Sequence, residues 1–355
     1  MKKNTPNQKT VIGIDLGDIK HAICVTDKHG SILKEFFVPN RHDCLEELAD
    51  EYPKALIAME VGTHSPWISR LFTAKGAEVI VANARKLRAI YTNERKCDRL
   101  DAQMLAKLVR VDPELLAPIR HGSEQSQQDL LSIKLRDTLV RQRVNIINSL
   151  RGSLKALGIR LASPSSSCFA KAARKTLREH PGILPSIEPC LGVLDGLSAQ
   201  IREFDKAIRE AGRTRYPQAE ALQQIPGVGP ITSLCFVLCI EEPGRFPEAR
   251  EVGAYLGLVP RRDQSGNTDK QLPISKSGNR YLRCLLVQSA QYILGHFGPD
   301  CELRRHGLKL AARGGKAAKK KAVIAIARKL AVLMLTLWQR QSDYVPLRGT
   351  TAKAA

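Results

Sequence analysis

The chain has 355 residues, 43% of them hydrophobic, enough for two or three domains with real cores and too apolar for a wholly disordered chain. Lys and Arg number 56 against 35 Asp and Glu, a formal net charge of +21 that steers the protein toward polyanions, nucleic acid first and an anionic membrane surface second. No stretch reaches the roughly 18–20 uninterrupted apolar residues of a membrane span, and the basic start MKKNTPNQKT runs into a short segment that carries Asp15, unlike a signal peptide, so the expected setting is the cytosol, with no membrane partner.

In chain order, residues 11–17, 21–27 and 32–39 read as three consecutive strands, separated by short turns containing Gly or Asp. A helix near 42–51 follows, then a buried strand at 55–61 (ALIAMEV), a helix at 66–75, a strand at 78–83 and an amphipathic helix at 98–110. Three strands followed by alternating helix and strand predict a mixed sheet with helices packed on it. Residues 123–157 are polar and helix-prone, with Leu130, Leu131, Ile133, Leu139, Val144, Ile147 and Leu150 at near-helical spacing. LASPSSSC (161–168) breaks the pattern, and a second helix runs from about 190 to 213. The two helices predict either an antiparallel hairpin or a dimer contact.

IPGVGP (225–230) opens a third region, with an apolar helix at 231–240, FPEAREVGAYLGLVP at 246–260, a polar loop at 261–273 and a helical part at 277–340. Between Glu302 and Asp343 there is no acidic residue, whereas Lys and Arg recur and Lys319, Lys320 and Lys321 are consecutive. A solvated face mixes signs, so this one-sided run favours phosphate contact. Residues 346–355 read as a disordered tail, and the domains are placed at 1–118, 119–220 and 221–345. The nine cysteines are scattered, odd in number and never in a Cys-x-x-Cys pair, which argues for reduced thiols against a disulfide framework or zinc ribbon. Cys235 and Cys239, one helical turn apart, read as core.

Four carboxylates stand out. Asp15 sits in the first strand, with Ile14 and Leu16 facing the other side of the sheet, and Glu60 ends the strand at 55–61. Asp98 and Asp101 open a helix at i and i+3 and share a face. Taken singly, each has an ordinary reading: a turn or cap residue, a strand-end surface charge, a helix N-cap, a favourable first-turn charge. Together they are a set of carboxylates on buried elements, costly unless paired or bound to metal. Clustered carboxylates repel, and a divalent cation relieves the repulsion: Mg²⁺ suits such oxygen donors, with Mn²⁺ the alternative. Two such ions about 4 Å apart would activate an attacking oxygen and stabilise a leaving one in phosphodiester chemistry.

This layout resembles the ribonuclease H-like (RuvC-like) fold of Holliday-junction resolvases over about residues 10–115, with Asp15, Glu60, Asp98 and Asp101 in the positions of a D-E-D-D set. GIDLG also opens sugar kinases, but no GxxxxGK[ST] phosphate loop is present. The C-terminal third is more specific. IPGVGP, then Phe246 through LGLVP (256–260), then Gln264-Ser265-Gly266, then ISKSGNRYLRCLL (274–286) resemble, in order and spacing, the insertion-sequence transposases of the bacterial IS-one-ten family, the bridge-RNA-guided DEDD recombinases. With the acidic domain, the resemblance spans nearly the whole chain.

The resemblance implies an α/β ribonuclease H-like N-terminal domain, a helical coiled-coil middle and a mostly α C-terminal domain. It implies Ser265 as nucleophile, a covalent phosphoserine link to DNA, double-stranded donor and target DNA selected by a structured bridge RNA, a homodimer that assembles to a tetramer, and a place on the bacterial nucleoid. A serine hydroxyl needs a base or a metal to attack. No His lies beside Ser265, so the metal-bound carboxylates are the activators this reading requires.

Lys276, Asn279, Arg280 and Arg283 follow Ser265 and Gly266 at spacing suited to a helix end facing phosphate, or else to a solvated basic helix. Gly227 and Gly229 of IPGVGP suit the hairpin of a helix-hairpin-helix element, whose backbone N–H groups hold phosphate without reading sequence, or else a plain helix-to-helix turn. Aromatic residues, at 5%, are thin for recognition of single strands by stacking. His21 and His64 read as structural. Two rival readings are a junction resolvase or other metal-dependent endonuclease in which water attacks and Ser265 is a bystander, and a non-catalytic nucleic-acid-binding protein.

Overall fold

The computed structural model describes residues 10–87, 97–162, 164–266 and 268–347. The chain forms two compact units, Met1–Gly122 and Ser123–Ala355.

The first unit is built on β1 (Val11–Asp15), β2 (Lys20–Thr26), β3 (Ile32–Pro39), β4 (Leu56–Glu60) and β5 (Glu78–Ala82), in the order β3-β2-β1-β4-β5. Short turns join the first three strands, which leaves only antiparallel pairing; Asp27 closes the second turn by accepting from the His29 and Ser31 N–H groups at 2.8 and 2.9 Å. The later connections hold α1 (His42–Glu51) and α2 (Ser65–Ala74), which carry the chain back across the sheet, so β1 pairs with β4, and β4 with β5, in parallel. This is the mixed sheet that the element order predicts. Side chains alternate between two covered faces. Ile12, Ile14, Ile23, Ile57 and Met59 pack with residues of α1 and α2, whereas Val11, Ala22, Cys24, Leu56 and Ala58 pack against α3 (Asp98–Val111). Burial on both faces is why β1 and β4 read as apolar runs without alternation.

The second unit opens with α4 (Glu124–Lys155) and α6 (Leu184–Arg215), each 32 residues long. Asp129 bonds to Arg215, Arg136 to Asp205 and Arg143 to Ser198, so the helices run antiparallel within one chain. α5 (Phe169–Leu177), which follows the break at 161–168 and which the sequence reading leaves unassigned, buries Phe169 and Ala173 against the pair. α6 begins before residue 190 because its prolines fall at its start: Pro185 occupies the first turn, where no N–H is needed, and Pro189 follows inside the helix.

The rest of this unit wraps α7 (Pro230–Ile240), whose buried residues include Leu234, Cys235, Phe236 and Leu238, with α8 (Arg280–Leu294), α9 (Glu302–Ala311) and α10 (Gly315–Arg340). By length and composition α10 is long and apolar enough to cross a membrane, alone among helices of the described residues. Its apolar side, with Ile326, Ala327, Leu330, Met334 and Leu337, belongs to this core. All nine cysteines are free thiols.

The polar loop expected at 261–273 is instead an antiparallel ribbon of β6 (Pro260–Ser265) and β7 (Thr268–Ile274). Every residue of β6 is exposed, so no alternation of apolar and polar residues marks it as a strand.

Candidate active site

Asp15 and Glu60 are the last residues of β1 and β4, neighbouring parallel strands whose register pairs Ile14 with Met59 one position earlier. By alternation both share the sheet face with Val11 and Ala58, the face that α3 covers. The first turn of α3 carries Asp98 and Asp101. Asp101 is buried at 7% exposure and Asp98 is exposed; Cys97, not Asp98, occupies the N-cap. Asp15, Glu60 and Asp101 each take part in a polar interaction. Among the described residues, no three His, Cys, Asp or Glu side chains stand close enough together to hold a metal ion. The structure thus gathers the four carboxylates on one face and one end of the sheet without closing them into a cage.

Gly13 permits this arrangement. A β-carbon at Gly13 would lie 1.9 Å from the Ala102 carbonyl oxygen and 2.7 Å from the Ala106 nitrogen, so α3 rests directly on the backbone of β1. That approach brings the first turn of α3 down to strand level.

The histidines lie elsewhere. His21 shares the opposite sheet face with Ile23 and is fully buried; its Nδ1 accepts from the Gly17 N–H at 3.3 Å, and burial lowers its pKa. His64 sits 3.1 Å from Asp18 Oδ1, with its Nδ1 accepting from Trp67 at 3.4 Å. Both act as supports for the turn after Asp15, in keeping with a structural reading.

Ser265 is the last, exposed residue of β6, pairing with Thr268 across the tip of the ribbon, where Gly266 takes φ 53°. The foot of the ribbon is held by two interlocked segments. Ser275 N–H donates to the Val259 carbonyl at 2.9 Å and Lys276 N–H to that of Gly257 at 3.2 Å. Gly278, at φ 68°, lies so close to Tyr255 that a β-carbon would meet its carbonyl oxygen at 2.1 Å. These are the LGLVP and ISKSGNR segments singled out in the sequence.

Two family models match the chain. One, described as "Transposase IS116/IS110/IS902 family", covers residues 219–304. The other, described as a transposase and named for the DEDD group of IS110, covers 12–159. The chain is 28% identical over 343 residues to the transposase for insertion sequence element IS1111A of Coxiella burnetii, covering 94% of this chain and 91% of that one. It is 29% identical over 287 residues to the transposase for element IS1328 of Yersinia enterocolitica, covering 79% and 83%. It is 33% identical over 114 residues to a pilin gene-inverting protein of Moraxella bovis, covering 32% and 34%.

The chain is a transposase, similar to the IS110/IS116 family over most of its length.

In this transposase several residues expected at phosphate turn inward. The Arg283 guanidinium is only 8% exposed and donates from Nη1 to the Leu256 carbonyl at 2.9 Å and the Ser277 carbonyl at 2.6 Å. It clamps the foot of the ribbon instead of facing phosphate, because the helical spacing that placed it beside Arg280 points it into the core. Asn279 caps α8, accepting from the Leu282 N–H at 3.0 Å, and its amide lies 3.1 Å from Cys239 Sγ. Gly227 packs on α8, where a β-carbon would stand 3.0 Å from the Ser289 carbonyl, while Gly229 has open space beside it. Arg304 is spent on the Ile293 and Gly295 carbonyls at 2.6 and 2.5 Å, and Arg305 on Asp300. Arg280, Lys276, Lys319, Lys320 and Lys321 are exposed.

Replacing Arg283 by Met strands two buried carbonyls, an expected loss of about 2–4 kcal/mol. Chemical denaturation of Arg283→Met and Arg280→Met separates clamp from surface cation: only the first should shift the midpoint.

Lys20 and Arg99 were missed by sequence reading. Lys20 alternates with Ala22, so it lies on the face of Asp15, and Arg99 follows Asp98; both sit over the Phe37 ring, at 4.1 and 5.3 Å. The alternation of β2 was the available signal for Lys20. Cations beside the carboxylates are suited to hold a phosphate strand there.

Proposed function

We propose that this transposase cuts and rejoins DNA strands with Ser265 as nucleophile, and with Asp15, Glu60, Asp98 and Asp101 as the metal-binding set of a ribonuclease H-like domain. The observation that carries the reading is the placement of Asp15 and Glu60 at the ends of adjacent parallel strands, on the face covered by the helix that bears Asp98 and Asp101. The donor set is all oxygen, which fits Mg²⁺ or Mn²⁺. When bound, such ions polarise the phosphate and lower the pKa of a coordinated hydroxyl. The strand order β3-β2-β1-β4-β5 supports the fold assignment.

Ser265 Oγ forms a bond to phosphorus as one P–O ester bond of the strand breaks. The serine proton ends on the departing strand oxygen, which leaves as a hydroxyl; a strand-end hydroxyl then attacks the phosphoserine, and its proton returns to Ser265 Oγ as the ester bond to the protein breaks. The tip of an exposed ribbon suits this role, since the hydroxyl can reach a backbone that has not been pulled into the protein. The exposed Lys20, Arg99, Lys276, Arg280 and Lys319–Lys321 contact phosphates. A bridge RNA carried by the element selects double-stranded donor and target; the net charge of +21 supports a second polyanion. Dimers that assemble to tetramers belong to the same reading, supported by Leu131 and Leu135, which stand exposed one turn apart on one face of α4. The site of action is the bacterial nucleoid.

Cleavage of the element's end DNA, with its flanking RNA and Mg²⁺, tests the chemistry on a denaturing gel. A protein–DNA adduct that forms in the wild type and is absent from Ser265→Ala is the expected result. Cleavage without adduct, undiminished in Ser265→Ala, would instead establish a resolvase-like nuclease in which water attacks.

A further inference from the structure

Within the second unit a cavity of about 1070 Å³ lies between the foot of the ribbon and α10. Its floor is aliphatic, with Leu258, Leu272, Ile324, Val332 and Leu333, and Tyr344 stands at one wall. Its rim carries Lys320, Lys321, Arg328 and Lys329, against the single carboxylate of Glu302. Both strands of the ribbon contribute, through Pro260 and through Gln271 to Ile274, so the cavity lies at the root of the element whose tip bears Ser265.

We propose that this groove takes up unpaired nucleotides of a DNA strand, with bases on the aliphatic floor and phosphates on the α10 cations. The proposal rests on the DNA-cutting role argued above and adds a subsite to it. Charge selects the occupant. Four cations face one carboxylate, so this face repels another like it and draws in a polyanion. Lys321 and Lys329 are eight residues apart, roughly 12 Å along the helix, a span suited to a few nucleotides.

The apolar floor selects the state of the strand. Duplex DNA keeps its base faces stacked and offers phosphates and groove edges, which gain nothing from aliphatic side chains. An unstacked base exposes an apolar face whose burial is favourable. Strand transfer requires the cut strand to part from its complement, and the groove holds the parted nucleotides beside the ribbon.

The test uses the full-length protein and a short fluorescein-labelled oligonucleotide carrying one iodouracil, presented single-stranded or as a duplex. Ala325→Trp, on the α10 wall, fills the groove, and Gln271→Trp does so from an exposed ribbon position where core folding is unaffected. Each is expected to weaken single-strand binding by about tenfold while leaving duplex binding within about twofold, and ultraviolet crosslinking of the wild type should label Tyr344. Equal loss for both probes, no loss in Gln271→Trp, or crosslinks confined to residues outside the groove would overturn the proposal. So would a change in sedimentation of Ala325→Trp without a change in DNA binding, which would assign the face to a second copy. Ser265→Ala must keep the single-strand preference whether or not serine chemistry holds, so failure of one reading is distinct from failure of the other.

Discussion

Asp101→Asn is expected to abolish strand cleavage, lowering the rate at least about 100-fold, while the protein keeps its fold. Asp101 is the most buried of the four carboxylates, and it projects from α3 toward the end of the sheet where Asp15 and Glu60 finish their strands. Asn preserves the shape and one acceptor but removes the charge, and charge is what a hard cation needs from its donors. A readout independent of catalysis follows. A cation that binds the folded state alone raises stability by about 2.7 kcal/mol at a hundred times its dissociation constant. Added Mg²⁺ should therefore raise the melting temperature of the wild type and leave that of Asp101→Asn unchanged. Equal Mg²⁺ responses in the two proteins, with equal cleavage rates, would remove Asp101 from the metal site.

Gly13→Ala is expected to damage folding and chemistry together. The added methyl would overlap the Ala102 carbonyl, and neither partner is a side-chain end that can swing away: one is strand backbone, the other helix backbone. Ala is favoured over Gly in a strand by about 0.5–1 kcal/mol, but the overlap costs about 3 kcal/mol, so the clash wins. The expected fall in melting temperature is about 10 °C. The variant that survives must lift α3 off β1, which moves Asp98 and Asp101 away from Asp15, and a misplacement of about 1 Å costs roughly 100-fold in rate. A Gly13→Ala protein with wild-type melting and activity would show that α3 does not depend on this contact. Ala102→Gly cannot rescue it, because the clash is with backbone.

The N-terminal sheet was legible because each strand announces itself by length, apolar content and flanking Gly or Asp, and because short turns leave only antiparallel pairing. The same legibility placed Asp15, Glu60, Asp98 and Asp101 on the correct elements. The ribbon around Ser265 was not legible: with every β6 side chain in solvent, its pairing is driven by backbone hydrogen bonds and the cross-strand Arg262–Asp269 pair, which leave no hydrophobic period. Nor was α5, whose nine residues follow a Ser-rich break. Arg283 shows a different failure. A cation near a Gly-rich segment reads as a phosphate ligand, and only the positions of the Leu256 and Ser277 carbonyls reveal that its Nη1 donates into the protein.

Local pattern determined what depends on neighbours along the chain: the sheet's connectivity, the long helices, the reduced cysteines, the polyanion-seeking charge and the elements that carry the four acids. Only the tertiary structure decided which face Asp15 and Glu60 share, that Gly13 is the seat of α3, that Arg283 is a clamp and that α10 and the ribbon enclose a groove. These depend on distances between segments remote in sequence, and such distances are set by packing the whole core, not by any period within one element.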